Sequence, residues 1–315
     1  MGHDHEHRLA GARDRRWLIA ALAVVVAFMA AEFVAGLLAH SLALLADAGH
    51  MLTDAAALAV AVIASRLAER PARGAYTYGF ARVDALSGQA NGITLLLLAV
   101  WFVYEAVARL ISPVAVHGTA VAVVAAIGAA VNLLATWLAG RADRASLNVR
   151  GVLAHLVTDA WAFAATFVAG LLIVTTGWRA ADAVASLVVA ALMAWTGWRL
   201  VRDAGRVFLE AAPAGFDPQA LGDDLAAAEG VAQVHDLHVW ELGSRRTAMS
   251  AHVLVEAPYD CHAVAEALRS RLAADYGIEH VTLQVDHAVS AVHDADNCAG
   301  AHGVVHVAPG MDHTT

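Results

Sequence analysis

Two histidines and two aspartates, set in one repeated phrase, are the residues of this sequence best suited to hold a metal ion. The phrase reads His50-Met51-Leu52-Thr53-Asp54 in one apolar stretch and His155-Leu156-Val157-Thr158-Asp159 in another. On an α-helix, positions i and i+4 share a face, with Cβ atoms about 5–6 Å apart. Each phrase therefore presents an imidazole beside a carboxylate. Two such helices packed face to face would converge two nitrogens and two oxygens on one point, the four-coordinate set that Zn²⁺ accepts at about 2.0–2.2 Å. The competing use of such pairs is a buried hydrogen-bonded couple that holds helices together. The shared Thr and the identical spacing favour a common cause in one ion.

The helices that must position these groups are apolar enough to lie in a bilayer. Of 315 residues 59% are hydrophobic, and the mean hydropathy is +0.59. Soluble domains hold about 45–50% apolar residues even with glycine counted. The chain is expected to be a polytopic α-helical membrane protein with soluble mass attached. Ionisable groups inside a membrane helix are costly and usually face a pathway or a partner. All 20 basic residues are arginine, and the net charge of −9 comes largely from the last third, which speaks against a nucleic-acid partner. Cys261 and Cys298 offer neither a disulfide framework nor a C-x-x-C knuckle. The first apolar segment is too long, and its start too rich in His and Asp, for a cleaved signal peptide.

Six apolar stretches, each near the ~20 residues that cross a bilayer, are expected at Trp17–Ala39, Leu42–Arg66, Ala85–Leu110, Val116–Ala139, Val152–Thr175 and Ala180–Leu200. Arg8, Arg13, Arg15 and Arg16, then Arg66, Arg70, Arg73 and Arg82, Arg141, Arg144 and Arg150, and Arg199, Arg202 and Arg206 flank one side. Only Arg109 and Arg179 fall on the other. The positive-inside rule puts both termini in the cytoplasm. Counting spans gives the fifth the opposite sense to the second, so the two phrases lie at different depths unless a helix is shifted. Within the spans, Gln89, Asn91, Asn132 and Ser186 read as interhelix hydrogen-bonding groups. Glu32 also lies in a span, and Asp182 sits near a helix end that water could reach. Asp47, one turn before Met51, reads either as a proton relay or as a helix-terminal water contact.

The domain plan is a His-rich N-terminal tail over 1–16, a membrane domain over 17–210, an α+β domain over 211–288 and a His-containing tail over 289–315. Alternating His3, His5 and His7 could capture metal loosely or belong to a disordered tail. Beyond Pro213, a helix over Asp217–Glu229 precedes strands over Val231–Leu242 and Thr247–Glu256. An amphipathic helix over Cys261–Tyr276 and a third strand over Val281–Asp286 complete the domain. That order fits a small domain with helices on one face of a sheet. The stretch after Ala288 carries His293, Cys298, His302, His306 and His313 without periodicity and is expected to be a tail dispensable for turnover.

From Trp17 to His287 the chain resembles the cation diffusion facilitator family. The resemblance rests on Leu45-Ala-Asp-Ala-Gly-His50-x3-Asp54, Tyr78-Gly79-x2-Arg82-x-Asp84-x-Leu86, His155-x3-Asp159 and Val234-His-Asp-Leu-His-Val-Trp240. It implies six transmembrane helices with a ferredoxin-like cytoplasmic domain. It also implies a homodimer in the cell membrane, a bacterial inner membrane here, and export of divalent metal against protons. By that resemblance His50, Asp54, His155 and Asp159 are the transport ligands, and two His with two Asp go with Zn²⁺, Cd²⁺ or Co²⁺ being further candidates. The loop between spans two and three offers Arg73, Tyr76 and Phe80 where some members carry metal ligands, so no site is expected there. Some members bind zinc in the cytoplasmic domain at positions matching His235, His252, Gln284 and Asp286. Gln284 replaces a His, so an ion there is expected to be weak or absent, and His235 and His252 read equally as half-buried strand histidines. His238, His262, His280 and His287 read as ordinary surface or core residues. Related proteins also carry a basic and an acidic residue at Arg82 and Glu210, which implies a charge interlock at the cytoplasmic membrane edge.

The chemistry of the set suits exchange without a separate proton site. Zn²⁺ needs neutral His and ionised Asp, so metal and protons compete for the same atoms. An unperturbed His with a pKa near about 6.5 titrates close to cytoplasmic pH. Two other classes compete with a transporter. A membrane-embedded zinc hydrolase would leave one coordination position to water, and no general base beyond the four ligands is evident. A metal-sensing receptor would need an output domain, and none follows Asp286. The chain is therefore not expected to be an enzyme.

Overall fold

Local chemistry ends the first described helix and starts the next. The computed structural model describes residues 23–68, 72–139, 147–243, 246–288 and 303–308. Helix α1 (Ala23–Ala39) stops where Ser41 N bonds Gly36 O and His40 N bonds Leu37 O. His40 takes φ 55°, the left-handed conformation that commonly terminates helices. Ser41 then caps α2 (Leu42–Ala68), its Oγ accepting from Leu44 N at 3.2 Å. Such a cap contributes about 1 kcal/mol. Four more long helices come next: α3 (Val83–Ile111), α4 (Gly118–Ala139), α5 (Leu147–Thr176) and α6 (Ala180–Phe208).

Contacts divide the chain into two compact units, one of residues up to Ala61 with Gly88–Val201, the other of Val62–Ser87 with Arg202 onward. In the first, small residues let backbones touch. A Cβ on Gly170 of α5 would sit 2.5 Å from Ala122 N of α4, and one on Gly92 of α3 would sit 2.8 Å from Gly197 O of α6. Close approach of this kind is how helices associate where the surroundings are as apolar as the side chains. Leu95, Ala99 and Phe102 of α3 pack with Val189, Ala190 and Met193 of α6. The same α3 exposes Leu97, Val100, Trp101 and Tyr104, a face suited to lipid and not to water.

Among the described residues four helical segments are long and apolar enough to cross a membrane: Ala85–Ile111, Gly118–Trp137, Asp159–Thr176 and Ala180–Phe208. Ala23–Ala39 and Leu42–Thr53 are shorter apolar helices. Both abut residues outside the described set, on the N-terminal side of α1 and along the rest of α2. Ser186, expected to bond a neighbouring helix, is fully buried with its hydroxyl unbonded among the described residues; it packs as a small residue.

The second unit holds a four-stranded sheet. Asp217 caps α7 (Pro218–Ala226) by accepting from Gln219 N and Ala220 N, with Pro218 at the first helical position, where its missing N–H costs nothing. Strands β1 (Val231–Gly243) and β2 (Arg246–Val255) pair antiparallel. Helix α8 (Cys261–Tyr276) starts at the Asp260 cap and ends at Gly277, φ 65°. It supplies the crossover that lets β3 (His280–His287) pair parallel to β2. Leu221 and Leu225 of α7, Val264, Leu268 and Leu272 of α8 and inward residues of β1 and β2 form one core.

The tail after Ala288 departs from expectation. His306 and Val307 form β4, antiparallel to β1, giving the order β3-β2-β1-β4. His306 is buried, with Nδ1 2.7 Å from Asp223 Oδ1. A Cβ on Gly222 would fall 2.2 Å from its ring, so the α7 glycine makes room for the imidazole. The short run Val304-Val305-His306-Val307 carries too few residues to show a period, yet the unpaired edge of the 13-residue β1 offers it backbone partners. Residues 289–302 and 309–315, like the N-terminal tail, lie outside the described residues.

Candidate metal centre

The two phrases, expected at different depths, approach each other through one residue of each. His50 is eight residues into α2 and Asp159 twelve into α5. At 1.5 Å per residue these offsets are about 12 and 18 Å. His50 Nε2 lies 3.8 Å from Asp159 Oδ1, and both side chains are buried. Helices α2 and α5 thus bring one residue of each phrase together. Asp54 and His155 lie on the same two helices, and their side chains are outside the described residues.

The surroundings of His50 are polar on one side. Thr53 Oγ1 donates to His50 O at 2.7 Å, which turns this hydroxyl back onto its own helix and away from ligation. One turn before His50, Asp47 is buried, as is Glu32 of α1. The burial of both was not visible in the sequence. A glutamate in the middle of an apolar span was the signal available.

Asp182 does not face water. Its carboxylate is 1% exposed and accepts from Ser41 Oγ at 2.5 Å and Leu42 N at 2.7 Å.

In the sheet, the expected cytoplasmic positions do come together, as a hydrogen-bonded cluster. His252 Nε2 lies 2.9 Å from Asp286 Oδ2, and Gln284 Nε2 donates to the same oxygen at 3.1 Å. The His235 and His252 rings stand edge to face, 4.5 Å between centroids. The Gln284 amide and the His252 ring hold the Asp286 carboxyl below the usual carboxylate range. Among the described residues no three His, Cys, Asp or Glu side chains form a metal-holding group, His235, His252 and Asp286 included. Gln284 thus presents its amide nitrogen to the same Asp286 oxygen that His252 meets.

Arg82 Nη2 donates to Glu210 Oε1 at 2.9 Å, the side chains being 33% and 62% exposed. Between α2 and α3, Arg73 bridges to Tyr76, and Tyr76 stacks on Phe80 at 4.7 Å.

Sequence comparison decides the family. Residues 18–209 match the cation efflux transmembrane domain and residues 213–288 the cytoplasmic domain of cation efflux proteins. The chain belongs to the cation efflux family. Zinc transporter ZitB of Escherichia coli is 36% identical over 292 residues, 91% of this chain and 93% of the relative. The cadmium, cobalt and zinc/H(+)-K(+) antiporter of Bacillus velezensis is 35% identical over 301 residues, 94% and 95% of the two chains. The metal cation efflux system protein CzcD of Cupriavidus metallidurans is 33% identical over 296 residues, 94% and 93%. The family match ends at residue 288, before β4.

Proposed function

We propose that this chain exports Zn²⁺ from the cytoplasm in exchange for protons, by alternating access around His50, Asp54, His155 and Asp159. The observation that carries the reading is the 3.8 Å approach of His50 to Asp159, one ligand from each phrase, inside a buried part of the membrane unit. In this reading Asp54 and His155, the other member of each phrase, complete the set. Two imidazoles and two carboxylates suit a tetrahedral Zn²⁺ better than ions that favour octahedral oxygen sites. The relative named as a cadmium, cobalt and zinc antiporter supports Cd²⁺ and Co²⁺ as further cargo. Metal and proton compete for the same nitrogens and oxygens, and this competition is the exchange.

In this reading α1 and α2 also cross the bilayer, giving six spans, and the arginine asymmetry puts both termini in the cytoplasm. The sheet with α7 and α8 is the ferredoxin-like cytoplasmic domain of a homodimer in a bacterial inner membrane. His235, His252 and Asp286 act there as a brace across β1, β2 and β3 instead of an ion site. Proteoliposomes with an acidic lumen should take up Zn²⁺ through the purified chain. Asp159→Ala should weaken apparent zinc affinity at least about 100-fold, since loss of even an outer-shell partner reaches that range. Unimpaired uptake by correctly inserted Asp159→Ala protein would overturn the site, and zinc-dependent hydrolysis without proton-driven uptake would overturn the function.

A further inference from the structure

We infer that Asp182 is a positioning residue: reaching across from α6, it caps α2 and so sets the depth at which His50 meets Asp159. The inference rests on His50 being a transport ligand. Asp182 uses one carboxylate oxygen on Ser41 Oγ at 2.5 Å and the other on Leu42 N at 2.7 Å, with 1% of the residue exposed. Ser41 passes the contact on by accepting from Leu44 N at 3.2 Å. Two first-turn N–H groups of α2, which have no partner within the helix, are thereby satisfied directly or through one hydroxyl.

Arg109, in the last turn of α3, completes the junction. Its Nη1 donates to His40 O at 2.7 Å and lies 3.8 Å from Asp182 Oδ2, while Nε faces Glu105 Oε1 at 3.4 Å. The turn between α1 and α2 is thus gripped by groups from α3 and α6, the pair whose backbones touch at Gly92 and Gly197. His40, in the left-handed conformation, holds that turn in a single tight shape.

His50 follows Leu42 by eight residues, so about 12 Å of helix links the cap to the ligand. Losing one residue of helix at the start shifts the remaining turns by about 1.5 Å and rotates them by about 100°. Metal ligation tolerates only about 0.5 Å. Asp182 therefore acts through the α2 backbone. Its oxygens are committed to the cap, and what the cap requires is an acceptor; a proton relay would require the charge.

The test compares three variants of the full-length chain in proteoliposome flux and in calorimetric titration with Zn²⁺ alone. Asp182→Ala should raise half-saturating zinc and the dissociation constant about fivefold, the factor an ordinary lost helix cap of about 1 kcal/mol produces in an equilibrium constant. Binding stoichiometry and maximal rate should change little. Asp182→Asn, which keeps its oxygen for Leu42 N and turns its amide N–H to Ser41 Oγ as acceptor, should recover to within about twofold of the wild-type constant on the same scale. Ser41→Ala should lie between, near threefold by the weaker part of that range, about 0.6 kcal/mol.

An Asn variant as impaired as Ala would show that the charge is what matters and overturn the inference. So would wild-type zinc affinity in both Asp182→Ala and Ser41→Ala. If Asp182→Ala fails to insert, Ser41→Ala decides: raised half-saturation with an intact maximal rate supports positioning, and no rise overturns it. His50→Ala runs in parallel. Wild-type affinity in that variant removes the site reading itself, whatever the Asp182 variants do.

Discussion

Asp286 Oδ2 serves two donors at once, the Gln284 amide and the His252 ring, and this decides how the site responds to acid. Both hydrogen bonds favour the ionised carboxyl, so its folded pKa lies below that of the unfolded chain, where Asp titrates near about 3.9. A group with a depressed folded pKa stabilises the fold above its unfolded value, and that contribution is lost as pH falls through the folded one. Asp286→Asn should therefore lower protection of the β2 and β3 amides at neutral pH, and its gap from wild type should close as pH drops below about 4. Hydrogen exchange on the detergent-solubilised chain measures both; a gap independent of pH would show the carboxyl's charge to be irrelevant. At this scale identity and spacing singled out His50 and Asp159, which the structure places 3.8 Å apart. The sequence was silent where partners are distant in the chain: the Ser41–Asp182 contact spans 141 residues, and no local pattern encodes it.

Elements were legible in proportion to their length. Long apolar runs identified the membrane helices, and alternation identified β1, β2 and β3 to within a few residues of their observed ends. The strand β4 was not legible, because two residues cannot display a period and its stability comes from β1 and α7. The observed strand divides the C-terminal tail, all of which was expected to be dispensable for turnover. Removing residues 309–315 should leave stability and flux unchanged. Removing 303–315 should uncover the backbone of Gln233 and Val234 and leave an open sheet edge, which invites pairing between chains. Faster exchange at those two amides and added higher oligomers on size exclusion are expected. His306→Ala alone should cost about 1–2 kcal/mol, one buried hydrogen bond with its packing. Equal behaviour of the two truncations would show β4 to contribute nothing.

For the whole molecule, the pair expected to act as a charge interlock is Arg82 with Glu210, both in the second compact unit. Arg82 immediately precedes α3, and Glu210 follows α6 by two residues. Exposure of 33% and 62% puts the 2.9 Å contact among pairs worth about 0–1 kcal/mol, so stability alone gives little reason to hold it. The backbone sharpens the point. Glu210 has φ 56°, at a helix end where Val207 O and Arg206 O receive the N–H groups of Glu210 and Ala211. Glycine would adopt that conformation without the cost of about 1 kcal/mol that a side chain brings. A strained residue retained for its carboxylate points to a role in transport. Glu210→Gly should therefore leave thermal stability unchanged or slightly raised while slowing zinc flux. Arg82→Glu and Glu210→Arg should each slow flux, and the double variant should recover part of it by restoring opposite charges across the same gap. Silent single changes, or a double variant no faster than the slower single, would reduce Arg82 to one more arginine holding the chain at the membrane edge.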